Sequence, residues 1–296
     1  MITSEPTTIV VGTGYIGRRV LESFDAGDVI GLSRSPLTTS RPLLLFDLDA
    51  GANLPLPLPD RYRVLYTVAP ATDSEQDVRL ERFLAGLESP PMAFVYISTT
   101  GIYGDRGGGA VDEQAAPSPA TARARRRVAA EQMLQQWSAT HAVRLCILRA
   151  PGIYGPGRLG LGRIRDGLPL LREADAAPGN RIHADDLATC CIVALTNTAA
   201  TGVFNVADGD ERSSTWFANE VAQQAGLQAP PQISREEAQT VFSARRLSFL
   251  NESRRVDTRR MREILRVTPQ YANAEDGIRA SLTEESSVDG LSENQG

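Results

Sequence analysis

Apolar residues along this chain fall mostly in short β-branched runs, and the stretches between several of them carry helical spacing. Thr8-Ile9-Val10-Val11 reads as a buried parallel strand. Further strands are expected at Asp28–Leu32, Arg41–Phe46, Arg63–Val68, Ala93–Ile97, Val143–Leu148 and Gly202–Val206. Helices are expected at Arg18–Phe24, at Glu75–Leu87 with Val78, Phe83, Leu84 and Leu87 as its apolar positions, at Asp185–Leu195 and at Ser213–Ala225. Another should start at Ser118, a capping hydroxyl followed by Pro119, and bury Ala130, Met133, Leu134 and Trp137. The Pro-rich run Leu54–Pro59 reads as a surface connection, since the strand pattern resumes directly after it. From Glu284 to Gly296 the residues are mostly Ser, Glu, Asp, Asn and Gly, which predicts a disordered tail.

The first strand passes straight into Gly12-Thr13-Gly14-Tyr15-Ile16-Gly17, a G-x-G-x-x-G pattern that opens a helix. Gly12 permits a tight turn, Gly14 lets backbone approach a diphosphate on the helix N-terminus, and Gly17 lets helix and strand pack closely. Glycines also make ordinary turns, but the strand before and the helix after favour a dinucleotide held by Gly12, Thr13, Gly14, Tyr15, Ile16 and Gly17. The expectation is an α/β fold: a Rossmann-type doubly wound parallel sheet over residues 1–150. A small C-terminal substrate subdomain over 151–283 would interleave with late core elements at about 181–207, ahead of the tail at 284–296.

About twenty residues past the first glycine, an acid would hold the ribose 2′-hydroxyl of NAD. None is present; Ser33 and Arg34 offer a hydroxyl and a guanidinium suited to a 2′-phosphate. NADP is therefore the expected cofactor, with NAD as the alternative and a solvated turn as the plain reading of Arg34. Asp47 and Leu48 are placed to flank an adenine, and Val68, Ala69 and Pro70 to leave room for ribose and diphosphate.

Composition changes the picture at three points. All 31 basic residues are arginine, which rules out a Schiff base, a lysine base or a P-loop lysine. A net charge of -5 argues against a broad nucleic-acid or anionic-membrane interface. Cys146, Cys190 and Cys191 lack metal spacing and read as reduced core thiols, so no metal site is expected. No apolar run spans a bilayer and no secretory signal is visible, so a cytoplasmic location is expected, with a small-molecule substrate as partner and a homodimer left open.

The ordered motifs resemble the extended or atypical short-chain dehydrogenase/reductase (SDR) family, which includes NAD(P)-dependent epimerases and dehydratases. The resemblance rests on the glycine loop, Ser98-Thr99-Thr100-Gly101-Ile102-Tyr103-Gly104, Leu148-Arg149-Ala150-Pro151-Gly152-Ile153-Tyr154-Gly155-Pro156-Gly157, Arg181-Ile182-His183-Ala184-Asp185-Asp186-Leu187 and Phe204-Asn205-Val206. It implies that Thr99 is the Ser/Thr that hydrogen-bonds the substrate oxygen, and that Ala150, Pro151 and Ile153 lie against the nicotinamide.

The pattern breaks where Y-x-x-x-K should follow: counting back from Glu131, the tyrosine position holds Arg123 and the lysine position Arg127. Arg127 can still hold the ribose, but Arg123 cannot trade a proton near neutral pH and would act as a fixed electrophile. Otherwise these arginines are a solvated helix face, with Arg127 and Glu131 paired at i, i+4. Tyr103 is the alternative proton donor. His141 reads as a surface residue, and His183 mainly as a structural tie to the helix from Asp185. Asp105–Glu113 is glycine-rich enough to close over the site. Arg158, Arg163, Arg165 and Arg172 are candidates for an anion on the substrate side. The expected function is an NADP-dependent oxidoreductase or epimerase of the SDR type acting on a small carbonyl or sugar-like metabolite. The competing reading is a catalytically inactive NADP-binding sensor or scaffold.

Overall fold

The computed structural model covers residues 5–50, 58–250 and 252–293. Seven strands form one sheet in which every pairing is parallel: β1 (Thr7–Val11), β2 (Val29–Ser33), β3 (Leu43–Leu45), β4 (Tyr62–Tyr66), β5 (Ala93–Thr99), β6 (Arg144–Ala150) and β7 (Gly202–Asn205). Their order is β7-β6-β5-β4-β1-β2-β3. The order reverses between β1 and β4, which opens a crevice at the carboxyl ends of those strands, where open α/β sheets take their ligands. The Rossmann-type fold expected from the sequence is the observed one.

Helices cover both faces. On one, α1 (Tyr15–Glu22) and α4 (Ala184–Thr196) bury Val20, Leu21, Leu187, Cys190 and Cys191 against Val10, Leu65 and Cys146 of the sheet. On the other, α2 (Val78–Ala85) and α3 (Ala122–His141) bury Leu80, Phe83, Ala130 and Leu134. The three cysteines are buried and free, and burial pushes the Cys146 thiol up to about 11 and that of Cys190 to about 12. A third core joins Tyr154, Leu159 and Ile164 to α5 (Ser214–Gln224) and α6 (Ala274–Glu293).

Four expectations need correction. Helix α3 is capped by Thr121, whose hydroxyl accepts from the Ala124 N–H, and Ser118 lies before it, its backbone N–H donating to the Ile102 carbonyl. The expected tail from Glu284 is helical as far as Glu293: Leu282 packs on the third core, and Glu285 accepts from the Gly157 N–H. The segment Asp105–Glu113 is clasped rather than free to close. Ala110–Val111 pairs with Arg255–Val256, and the Arg106 and Gly108 N–H groups both donate to the Ser253 carbonyl. Helix α1 starts directly at Tyr15, so the glycine turn itself forms the helix entry. Most of the Pro-rich run Leu54–Pro59 lies outside the described residues. Among those described, no helix is long and apolar enough to cross a membrane, and no group of His, Cys, Asp and Glu could hold a metal.

Candidate functional site

The site starts at the turn between β1 and α1. Gly12 has φ +87°, and a Cβ there would lie 2.8 Å from both Thr67 Oγ1 and Val68 Cγ2. A Cβ on Gly17 would stand 1.9 Å from the Gly12 carbonyl oxygen. Gly14 differs from both, since a Cβ on it would meet nothing within 4 Å. Gly14 caps α1 without a side-chain hydrogen bond, and the first turn holds no acid. The turn is thus closed beneath and open above, where helix N–H groups and the positive end of the helix dipole favour an anion. That cradle fits a diphosphate.

On one side lies a cleft of about 420 Å³ whose lining includes Thr13, Ser33, Arg34, Asp47, Leu48 and Val68. Arg34 is mostly exposed, its Nη1 3.9 Å from Asp49 Oδ2. Arg79 of α2, also in the lining, grips Asp49 with both ends of its guanidinium (2.7 and 2.5 Å) and holds that carboxyl below its usual range. The Ser33 hydroxyl donates to the Ser35 carbonyl (2.6 Å). Pro70 lines neither this cleft nor its neighbour.

The neighbouring cleft, about 650 Å³, shares Gly14 and Thr67 with the first. Tyr15, Ile16, Ala69, Ala150, Pro151 and Ile153 all line it, as do Thr99, Arg123 and Arg127. Strand register sets Thr99 of β5 opposite Ala150 of β6. The Thr99 hydroxyl accepts from the Gly101 N–H (3.1 Å), which leaves its own hydrogen for a ligand. Arg123 and Arg127 stand one turn apart on α3. Arg127 Nη1 donates to Tyr96 (2.7 Å) and to the Ile97 carbonyl (3.0 Å). Arg158 lies over the Tyr15 ring at 3.9 Å, and the Tyr15 hydroxyl donates to the Pro156 carbonyl. Glu252 and Arg254 complete the lining, paired at 2.9 Å.

Residues 78–207, from α2 through β7, match the NAD dependent epimerase/dehydratase family. Over that stretch the chain is similar to NAD-dependent epimerases and dehydratases. Solved structures agree on the fold. A functionally unknown conserved protein from Silicibacter pomeroyi is 28% identical with a TM-score of 0.77, over 95% of this chain and 99% of that one. MoeE5, in complex with UDP-glucose and NAD, is 18% identical with a TM-score of 0.75, over 94% and 97%. The human epimerase family protein SDR39U1, with NADPH, is 20% identical with a TM-score of 0.71, over 94% and 99%. No curated protein matches the sequence.

Several expected residues lie away from the two clefts. Tyr103 is fully buried and absent from the cleft lining; its hydroxyl donates to Asn205 Oδ1 (2.7 Å) and accepts from Arg149 Nη1 (2.8 Å). It is sealed against the role of proton donor. Glu131 pairs with Arg149, at 2.7 Å, and not with Arg127; it also accepts from the Ser98 hydroxyl. Glu131 is buried, and these two partners both lie on strands of the sheet, Ser98 on β5 and Arg149 on β6. His183 is buried too: Nδ1 accepts from the Asp185 N–H and Nε2 donates to Ser281, while burial lowers its pKa. It is the structural tie. His141 is exposed, on the Trp137 carbonyl. Of the four substrate-side arginines, only Arg158 reaches this cleft; Arg163 lines an adjoining cavity, Arg172 faces Glu237 at 3.7 Å, and Arg165 lines neither. No sequence motif marks Arg79, Glu252 or Arg254, which reach the clefts through tertiary packing.

Proposed function

We propose that the protein is an NADP-dependent oxidoreductase or epimerase of the SDR type, acting on a small carbonyl or sugar-like substrate in the larger cleft. The observation that carries this reading is the junction at Gly14 and Thr67, where an open diphosphate cradle meets a cleft walled by Thr99, Arg123 and Arg127. Gly12 to Ile16 would hold the diphosphate, Asp47 and Leu48 the adenine, Arg127 the ribose, and Ala150, Pro151 and Ile153 the nicotinamide side. MoeE5 binds NAD and the human protein NADPH, so the fold accommodates both. Arg34, with Arg79 neutralising Asp49 beside it, favours the 2′-phosphate of NADP here.

When bound, the nicotinamide supplies the carbon that gives or takes hydride. The Thr99 hydroxyl donates to the substrate oxygen and fixes its position. Arg123 stabilises negative charge that develops there without giving up a proton. A second reading, an NADP-binding sensor, draws on the tyrosines: Tyr103 is sealed, and the hydroxyl of Tyr15 is spent on Pro156.

A fluorescence titration with NADPH, followed by NADPH oxidation against a broad carbonyl panel, separates the two. The enzyme reading expects turnover that falls about 100-fold in Thr99→Ala with NADPH affinity intact. Binding without turnover on any carbonyl would favour the sensor.

A further inference from the structure

The larger cleft, which Thr99 lines, adjoins a cavity of about 310 Å³, and the two share Ser214 and Leu250. The walls are largely aliphatic, with Leu159, Ile164, Leu168, Leu171 and Leu250 around Ala218 of α5. Thr215 also lines it, but its hydroxyl donates to the Leu171 carbonyl (2.8 Å) and is satisfied internally. Two arginines on different helices line it. Arg163 comes from the short helix Leu161–Arg165, and Arg246 from the short helix Ala244–Leu250.

Arg246 lies on the Phe242 ring at 3.6 Å and donates one N–H to the Pro169 carbonyl. Burial, and next the charge of Arg163, hold Arg246 below its ordinary pKa. No carboxylate appears among the described residues of the lining. Arg246 is half-buried and Arg163 is exposed at the pocket's edge, and with no acid in the lining the two cations repel each other, a cost that a bound anion would remove. The same walls offer a sugar ring few hydrogen-bond partners but suit a hydrocarbon chain.

We propose that this cavity takes the aliphatic arm of an oxo- or hydroxy-carboxylic acid, with its carboxylate held by Arg163 and Arg246 and its reacting oxygen at Thr99. The assignment rests on the reading of the larger cleft as the reaction site. It gives that site a substrate class: an amphiphilic acid of medium chain length.

The test is calorimetric titration of the full chain with octanoate and with octan-1-ol, alongside a separate titration with NADPH. Octanoate is expected to bind at least tenfold more tightly than octan-1-ol. Its affinity should fall at least tenfold in Ala218→Trp, which fills the pocket, and in the double variant Arg163→Gln/Arg246→Gln, with near-UV circular dichroism reporting that each variant is folded. Absence of octanoate binding, equal affinity for the alcohol, or unchanged affinity in the double variant would overturn the assignment. NADPH binding without octanoate binding would remove only this inference; the reverse result would remove the dinucleotide reading and leave the pocket.

Discussion

The two clefts that meet at Gly14 and Thr67 are built on different principles. In the smaller one charge is balanced, with Arg34 and Arg79 facing Asp47 and Asp49, and the glycine turn that limits it is shaped by backbone. In the larger one Arg123, Arg127, Arg158 and Arg254 share a single carboxylate among the described lining residues, Glu252. The first suits the adenosine end of the dinucleotide proposed above. The second holds surplus positive charge that suits a substrate bearing or developing negative charge. The second is also underpinned differently. Beneath Thr99 runs a buried polar chain from Ser98 through Glu131, Arg149 and Tyr103 to Asn205, linking β5, β6, β7 and α3.

The largest effect should come from breaking that support. Arg149 and Glu131 side chains are 5% and 4% exposed, so Arg149→Met leaves a buried carboxylate uncompensated. The expected cost is about 3–5 kcal/mol in urea unfolding. A loss below about 1 kcal/mol would mean that the network carries little of the substrate half's stability.

A smaller effect sharpens the contrast from the adenosine side. Arg79→Gln should expose Asp49 to the nucleotide, lowering NADPH affinity about tenfold relative to NADH, near the worth of one charge-assisted hydrogen bond. An unchanged ratio would show that the Asp49–Arg79 pair has no part in coenzyme choice.

A pH-dependent effect concerns Asp208, a buried carboxyl pushed up from 3.8 to about 8 by loss of hydration. The folded protein then binds more protons than the unfolded chain between those values. Stability is therefore greatest at acid pH and is lost as pH rises through the window. Melting temperatures of the wild type should decline from pH 5 to pH 8.5 more steeply than those of Asp208→Asn. Parallel profiles would contradict the assignment.

What the sequence disclosed was local. The β-branched runs and the glycine turn involve neighbours in the chain, so the strands and the turn between β1 and α1 are legible in the sequence alone. Partners across the fold were not accessible in the same way. Glu131 stands one turn from Arg127 in the sequence, yet burial turns it to Arg149 on a strand. Tyr103 stands four residues past Thr99, but spacing fixes distance along the chain and not direction; the 3-10 turn Thr100–Tyr103 carries it into the core. Arg79, Arg246 and Arg254 reach their pockets through tertiary packing alone.

Calorimetric titration of NADPH into the wild type, Gly14→Ala and Gly17→Ala tests the central claim most directly. A Cβ on Gly14 meets no protein atom, so Gly14→Ala should unfold within about 0.5 kcal/mol of the wild type and still bind NADPH on the order of 100-fold more weakly. Gly17→Ala should lose about 3 kcal/mol of stability, because its Cβ collides with the Gly12 carbonyl. No heat of association for the wild type with NADPH or NADH, or full affinity in Gly14→Ala, would contradict a dinucleotide lying across the opening turn.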